Sequence, residues 1–316
     1  MQRYGLTIPL DGLPLAEQRD LIAALPDLGW TDLWSSEVNG SDAFTPLVLA
    51  SQWAPELRLG TAIVPVQTRG PALIAQSAAA LAAVAPGRVA LGIGASSRVI
   101  VNDWNGLEYD APYARVRDTL RFLRAALSGD KVTESYDTFS VRGFRLAHAP
   151  SEPVPVLLAA LRPQMLRLAS TEADGAILNW LSADDVAQVS TVIGDATEVA
   201  ARIFVAPSTN TDAVRAMARQ FIAAYLTVPA YAAFHDWLGR ADVLGDMWRL
   251  WRDGDRRGAA NAVPDAVVDD LIVHGSAPQC REHVARYVEA GVTTPILAVL
   301  PTGADPRQVI RDLAPS

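Results

Sequence analysis

A run of small residues, Gly92 to Ser97 with the sequence GIGASS, is the first stretch whose residue types and spacing could do chemistry. A dinucleotide-binding turn has the pattern G-x-G-x-x-G and leads directly into a helix. Here Ser97 stands at the third glycine position, and residues rich in Asn, Asp and Trp follow, which indicates a loop. The dinucleotide interpretation is therefore weak. Small residues and hydroxyls at the end of a strand instead let a flat ring system approach the backbone.

Short apolar runs and amphipathic helical segments alternate along the chain. The runs have no polar alternation, which is typical of strands buried on both faces. Strict alternation requires parallel strands joined by right-handed crossovers, and eight such units suit a closed barrel. We therefore predict the fold class α/β, with a (β/α)8 TIM barrel that carries insertions. An open doubly wound sheet is the structural alternative. The predicted strands are 4–8, 32–35, 58–63, 89–93, 156–159, 176–179, 203–206 and 296–300.

Two stretches do not fit a minimal barrel and read as insertions. Residues 131–146 alternate like strands and predict a hairpin after the fourth helix. Residues 228–270 are rich in tryptophan and charge and predict extra helices between the seventh and eighth strands. Because no low-complexity linker divides the chain, we predict a single domain over residues 1–316.

Composition limits the class of partner. The net charge of −8 and the pI near 5.0 disfavour nucleic acid, which selects dense patches of Lys and Arg. The N-terminus lacks the features of a secretory signal, and no window is apolar enough to span a membrane. A single cysteine, Cys280, excludes an internal disulfide and is consistent with a reducing compartment. We expect a soluble cytoplasmic protein that acts on a small molecule.

The sequence offers no motif for hydrolysis or for a metal site. The four histidines lack carboxylate or cysteine partners at ligand spacing, so we expect no metal. Neither a nucleophile elbow, G-x-S-x-G, nor a phosphate-binding Walker loop is present.

Several motifs, taken in order, carry a family resemblance. They are LWSSE at 33–37, GTAIVP at 60–65, RGPALIAQ at 69–76, GRVALGIG at 87–94, PVLLAAL at 155–161 and ADGAILNW at 173–180. In this order they resemble the bacterial luciferase-like superfamily, and within it the oxidoreductases that depend on coenzyme F420, a deazaflavin. The resemblance covers most of the chain apart from the tryptophan-rich insertion.

The resemblance implies a bacterial luciferase-like barrel with the deazaflavin across its C-terminal mouth. It also implies a cis peptide bond between Ala62 and Ile63, which bulges against one face of the ring. A buried ring of this kind needs an apolar floor and a few backbone donors for its carbonyl edge, and the ends of the strands supply both. We also expect the helix that begins near Ser182 to offer backbone N–H groups to a phosphate. The residues expected at the cofactor are Ala62, Ile63, Gly94, Ala95, Ser96, Ser97, Ala159, Ala160, Leu178, Asn179 and Trp180.

The resemblance also locates a catalytic stretch after the second strand, where relatives carry acid or base residues. Glu37 and Asn39 lie there and are our predicted catalytic residues. Glu37 serves equally well as a helix cap or as one partner of an ion pair. The sugar-phosphate dehydrogenases of the family have a histidine where this chain has Val38 and a glutamate where it has Ser97. These departures favour hydride transfer to an activated C=C or C=N bond over sugar oxidation.

Three functions remain open. The first is an F420-dependent oxidoreductase that transfers a hydride between the deazaflavin and a small organic acceptor. The second is a luciferase-like monooxygenase that uses FMN, and the third is a barrel that binds F420 without turnover. Because members of the superfamily commonly pair, a homodimer is also expected, and the apolar insertion suits either a lid or an interface.

Overall fold

The computed structural model describes residues 2–194 and 198–315 and contains a closed barrel of eight parallel strands surrounded by helices. Around the barrel the strands follow the order β1, β2, β3, β5, β8, β9, β10 and β12, and β12 pairs again with β1. The predicted TIM barrel is therefore confirmed. The strands are β1 (Gly5–Thr7), β2 (Asp32–Ser35), β3 (Arg58–Thr61), β4 (Val64–Pro65), β5 (Val89–Gly94), β6 (Val132–Ser135), β7 (Ser140–Phe144), β8 (Val156–Ala159), β9 (Gly175–Asn179), β10 (Glu198–Pro207), β11 (Ile272–Gly275) and β12 (Thr294–Val299).

Four strands lie outside the barrel ring or extend it. The short β4 continues the line of β3 beyond the Ala62–Ile63 peptide bond, which is cis as expected, and pairs with the end of β5. The antiparallel hairpin of β6 and β7 occupies the predicted hairpin segment. Strand β11 is absent from the sequence prediction, because it directly follows the inserted helices. It pairs with the carboxyl half of β10 from Phe204 onward and so adds a strand at the mouth of the barrel.

Helices cover the outside of the barrel, and four of them, α8 to α11, form the insertion between β10 and β11. The helices are α1 (Arg19–Ala24), α2 (Phe44–Trp53), α3 (Pro71–Val84), α4 (Pro112–Leu127), α5 (Pro163–Glu172), α6 (Ala183–Ile193), α7 (Thr211–Leu226), α8 (Pro229–Trp237), α9 (Ala241–Arg252), α10 (Arg256–Asn261), α11 (Asp265–Leu271), α12 (Ala277–Glu289) and α13 (Pro306–Asp312).

The alternation of side chains along each strand decides which residues face the interior of the barrel, here called the lumen. Leu33, Leu59 and Leu91 point outward and join the core between strands and helices. The neighbouring residues point inward, and six of them pack together as one layer across the lumen. This layer consists of Trp34, Ala90, Leu157, Ile177, Ala200 and Ile296.

Trp34 fills most of that layer and forms the floor of the lumen. Its side chain is fully buried, and glycines on both neighbouring strands make room for it. A Cβ atom at Gly5 would lie 2.8 Å from Trp34 Cδ1, and one at Gly60 would overlap the other edge of the indole ring. The indole ring of Trp34 thus fills the space that the two glycines leave, and it closes the barrel below the mouth.

An ion-pair network lies below the floor. Arg58 donates to both carboxylate oxygens of Glu198 at 2.7 and 2.9 Å and lies 3.5 Å from Asp32. Burial works to raise the pKa of Glu198, but the hydrogen bonds and charge of Arg58 outweigh it and hold that pKa below its usual value. Asp32 is buried more deeply, and this burial raises its pKa. The positive charge of the inward-facing Arg58 is therefore balanced by carboxylates of the same chain.

We predict that Gly60→Ala destabilises the protein by at least about 2 kcal/mol, because the added methyl group collides with Trp34 in a packed interior. Gly245→Ala is the matched control. Gly245 lies in α9, where a methyl group added to it would have no other atom within 4 Å, so the same change should stabilise by about 0.5 to 1 kcal/mol through helix propensity. Chemical denaturation of both variants and of the parent protein measures the free energy of unfolding. A Gly60→Ala variant as stable as the parent would contradict the packing of Trp34 against Gly60.

Candidate active site

Above Trp34 the inward-facing residues divide the lumen into two halves. Around the ring of eight strands, β3 is third and β10 is seventh, so they lie opposite each other. The first half, on β5 and β8 and on the two residues that follow β3, carries mostly small residues, and we call it the small-residue half: Ala62, Ile63, Gly92, Gly94 and Ala159. The second half, on β9, β10 and β1 with one side chain from α8, we call the polar half: Thr7, Asn179, Arg202 and Tyr231.

The small-residue half is a nearly flat wall. Gly94 has no side chain, and a Cβ atom there would lie 2.8 Å from Ala159 Cβ and 3.1 Å from Ile63 Cγ1. Ala62 and Ile63, which are joined by the cis peptide bond, both pack against the Trp34 layer. This wall offers a broad apolar surface with backbone groups close to it.

The polar half holds side-chain atoms that are buried without a partner. Among the described residues, Thr7 Oγ1, Asn179 Oδ1 and Arg202 Nε make no hydrogen bond. Asn179 and Arg202 are register partners on adjacent strands, so they lie at the same height and on the same inward face. Buried polar atoms are almost always hydrogen-bonded, so unpartnered atoms on two register partners, with a third on β1, indicate a place where a ligand binds.

Arg202 is the most unusual of these side chains. It lies deep in the barrel, although part of its surface remains accessible through the mouth, and burial lowers its pKa. Its guanidinium carbon is 4.8 Å from the ring centre of Phe204. Within residues 2–194 and 198–315 no carboxylate forms an ion pair with it, and the acidic group that acts on it, Asp11, is exposed.

Tyr231 brings the insertion into the site. It lies in α8, and its hydroxyl accepts a hydrogen bond of 2.9 Å from Asn179 Nδ2. The hydroxyl proton remains available for another acceptor. Burial raises the pKa of Tyr231 to about 12, so the group stays protonated at neutral pH.

An aromatic cluster supports the polar half from the outside. Trp180 follows β9 with a φ of 57°, and its fully buried ring packs 4.2 Å from Phe204 and 5.0 Å from Phe221 between ring centres. A left-handed backbone is uncommon for a bulky residue and persists only where the surrounding structure holds it. It turns the Trp180 side chain away from the mouth and into the core formed by α7 and β10.

The loop after β5 also leaves its strand by a left-handed residue. Ser96 has a φ of 62°, and its carbonyl oxygen accepts a hydrogen bond from the Tyr109 hydroxyl at 3.3 Å. Ser97 accepts from the N–H of Ile100 and so begins a short π-helix over Val99–Trp104. The serines therefore lie at the rim, and the hydroxyl of Ser97 is already used within the loop.

Glu37, one of the two predicted catalytic residues, follows β2 beside the small-residue half, and its backbone N–H donates to the carbonyl oxygen of Ile63 at 3.3 Å. Both carboxylate oxygens of Glu37 accept hydrogen bonds of 3.0 Å from Arg69 Nε, and one also accepts from the N–H of Ala43 before α2. The structure thus contains the ion pair and the capping contact that the sequence leaves open for Glu37. Asn39 lies in an exposed bend two residues further on.

Besides Trp180, three of the residues expected at the cofactor direct their side chains elsewhere. Ala160 and Leu178 are fully buried in the outer core, because each follows or precedes an inward-facing residue. Ala95 packs against the same core from the rim.

The N-terminus of the helix near Ser182 is capped by its own side chains, which disfavours the phosphate site predicted there. The Ser182 hydroxyl accepts from the N–H of Asp185, and the Asp185 carboxylate accepts in return from the N–H of Ser182. Arg240 covers this capping box at 2.8 Å from Asp185. Two aspartates in the first turn would also repel an anion.

Other classes of site find no support in the described part of the chain. No three His, Cys, Asp or Glu side chains converge there in a way that could hold a metal ion. None of the helices described is long and apolar enough to cross a membrane.

The comparison with known protein families agrees with this geometry. Residues 4–294 match the family model described as luciferase-like monooxygenase. The chain belongs to this family. The luciferase-like resemblance of its motifs is confirmed, and the match includes seven of the eight barrel strands, the polar half and the inserted helices.

Luciferase-like relatives along the whole chain are named for F420 or for a methanopterin substrate. The chain is 26% identical to "Putative coenzyme F420-dependent oxidoreductase Rv3520c" of Mycobacterium tuberculosis, over 95% of this chain and 94% of that protein. It is 25% identical to 5,10-methylenetetrahydromethanopterin reductase of Methanolobus tindarius, over 90% of each chain. The F420-dependent tetrahydromethanopterin reductase of Methanopyrus kandleri superposes with a TM-score of 0.78 at 20% identity, over 99% of this chain and 97% of that one, which shows a shared fold.

Sequence reasoning misses Arg202 and Tyr231. Arg202 carries a detectable signal, because it is a charged residue inside the apolar run EVAARIFVAP, at the inward phase of the strand. The predicted strand begins at residue 203 and so leaves it out. Tyr231 has no such signal, since its position depends on how α8 folds back over the mouth.

We predict that Glu37 and Arg69 act as a coupled structural pair. Glu37→Ala and Arg69→Ala should each lower the free energy of unfolding, and the double variant should lose less than the sum by about 1 kcal/mol, because the pair is half-buried and doubly hydrogen-bonded. A double-mutant cycle in urea measures the coupling. Additive losses would show that the pair does not hold the loop.

Proposed function

We propose that this luciferase-like protein is an F420-dependent oxidoreductase that transfers a hydride between the deazaflavin and a small organic acceptor with an activated C=C or C=N bond. The observation that carries the proposal is the pairing of a flat, apolar wall with an opposed set of unpartnered polar groups inside one lumen. The names of relatives that align over nine tenths of the chain support F420 as the cofactor.

The residues of the lumen fit a deazaflavin. The ring would lie against Ala62, Ile63 and Gly94, where no side chain larger than isoleucine intervenes. Its carbonyl edge requires donors in a buried site, and backbone N–H groups at the strand ends are close to this wall. Asn179 is a further candidate at the edge of the ring. We propose backbone contacts for Ala95, Ser96, Ala160 and Leu178, and a supporting role for Ser97 and Trp180.

When bound, the deazaflavin supplies or accepts a hydride at its central ring carbon. The chain's own contribution is to hold the acceptor against the open face of the ring and to supply a proton where charge develops. The Tyr231 hydroxyl suits that second role, because Asn179 donates to its oxygen and leaves its proton free. We propose Tyr231 as the proton donor, with solvent restoring its proton, and a rim role for Glu37 and Asn39.

A second candidate is a monooxygenase that uses reduced FMN and oxygen, which the description of the family model favours. The two candidates differ in which cofactor the apoprotein binds. Binding without turnover is a third outcome, which the acceptor assay tests.

Two further features belong to this proposal. A homodimer is supported by exposed apolar side chains on the neighbouring helices α2 and α3, namely Val48, Leu49, Leu73 and Val84. A cytoplasmic location is supported by the presence of a single cysteine, Cys280, which suits a reducing compartment.

We predict that the apoprotein quenches F420 fluorescence on binding and that Gly94→Ala weakens this binding at least about tenfold, because a methyl group on the wall displaces Ala159 or the ring. Gly245→Ala, with the same substitution far from the lumen, should bind F420 like the parent protein. Tight binding of FMN without any response to F420 would refute the proposal and favour the monooxygenase.

We predict that Tyr231→Phe lowers kcat for reduction of an enone by about 10² to 10⁴-fold, the usual contribution of a positioned proton donor. The affinity for F420 should stay within about twofold, because Tyr231 lies on the opposite half. Steady-state kinetics with 2-cyclohexen-1-one and fluorescence titration separate the two effects. Unchanged turnover would remove Tyr231 from the mechanism.

A further inference from the structure

Two arginines of the barrel strands point into the lumen, and they differ in their carboxylate partners. Arg58, below Trp34, has a bidentate contact with Glu198 and a second carboxylate, Asp32, within 3.5 Å. Arg202, above Trp34, has neither in the described residues. Both side chains come from strands of one barrel and point into its lumen.

This difference has an energetic meaning. A buried charge without a partner costs several kcal/mol, so a fold retains one only where something compensates for it. The face of Phe204 supplies part of that compensation through a cation–π contact. The neighbouring side chains Asn179, Tyr225 and Tyr231 are neutral and cannot supply the missing negative charge.

The strand order defines what Arg202 faces. Because β10 is opposite β3, a ring that lies against Ala62 and Ile63 turns its open face toward Arg202. The acceptor must occupy the space between them. The guanidinium group also presents several N–H donors in one plane, which match the two oxygens of a carboxylate or phosphate.

We propose that Arg202 binds an oxyanion group of the acceptor, so that the substrate class of this enzyme is a small organic anion. This inference rests on the proposed function, which defines the acceptor. The existence of an anion site does not depend on the proposed function. It follows from the position of the Arg202 guanidinium beside Asn179 and Tyr231.

The test uses crotonate, its uncharged analogue crotonamide, and inorganic phosphate as probes, and it measures their binding to the apoprotein by calorimetry at constant ionic strength. The parent protein should bind crotonate, phosphate or both, and should bind crotonamide at least about tenfold more weakly. Arg202→Met should lose anion binding by about a hundredfold, as expected when one partner of a buried charge pair is removed. Arg162→Met, which removes an exposed arginine from the rim, should bind like the parent.

A stability measurement distinguishes loss of the site from loss of the fold. Because an uncompensated charge is removed, Arg202→Met should melt at a temperature at least about 1 to 2 °C higher than the parent in the absence of ligand. If Arg202 instead stabilises the fold and binds no ligand, Arg202→Met should melt at a lower temperature than the parent. Binding of phosphate without crotonate would assign the oxyanion as a phosphoryl group, and the reverse would assign a carboxylate.

Four results would overturn the inference. The first three are equal binding of crotonate and crotonamide, no anion binding by the parent, and anion binding that survives Arg202→Met. The fourth is competition between crotonate and F420, because it would mean that Arg202 holds the cofactor. Anion binding that depends on Arg202 in a protein that does not bind F420 would leave this site in place and reject only the proposed function.

Discussion

Trp34 can fill the floor of the barrel only because Gly5 and Gly60 leave room for its indole ring on the two neighbouring strands. This single packing arrangement separates the lumen into a lower part, occupied by ion pairs, and an upper part that opens at the mouth. Everything in the upper part is then defined by the period of two along each strand, which sends residues 62, 94, 159, 179 and 202 to the same enclosed space. The site is therefore a consequence of barrel closure above a sealed floor.

Closure of the barrel also places the small-residue half and the polar half on opposite sides of the lumen. In a ring of eight strands, the third and the seventh face each other across the axis, so the cis peptide bond at Ala62 lies opposite Arg202. A planar ligand on one side and a charged or polar ligand on the other is the arrangement that this geometry favours. The inserted helix α8 completes the polar half by adding Tyr231, and the aromatic cluster around Trp180 keeps that half in place.

The sequence predicts the barrel well because its signal is local and repeated. Apolar runs without polar alternation are sufficient to locate all eight barrel strands, and the family motifs are sufficient for the cis peptide bond between Ala62 and Ile63. What the sequence cannot supply is the phase of a side chain at a strand end. Leu178 and Asn179 are adjacent, yet one joins the outer core and the other faces the lumen. Glu37 illustrates a second limit, since its partner Arg69 lies on a different loop and becomes visible only in three dimensions.

The central claim is that one lumen holds a flat redox ring on its small-residue half and leaves the polar half to the acceptor. A crystal structure of the protein grown with F420 tests this directly. The account predicts electron density for the deazaflavin ring against Ala62, Ile63 and Gly94, with open space between the ring and Arg202. Density for the ring outside the barrel, or with Arg202 as its main contact, would contradict the account.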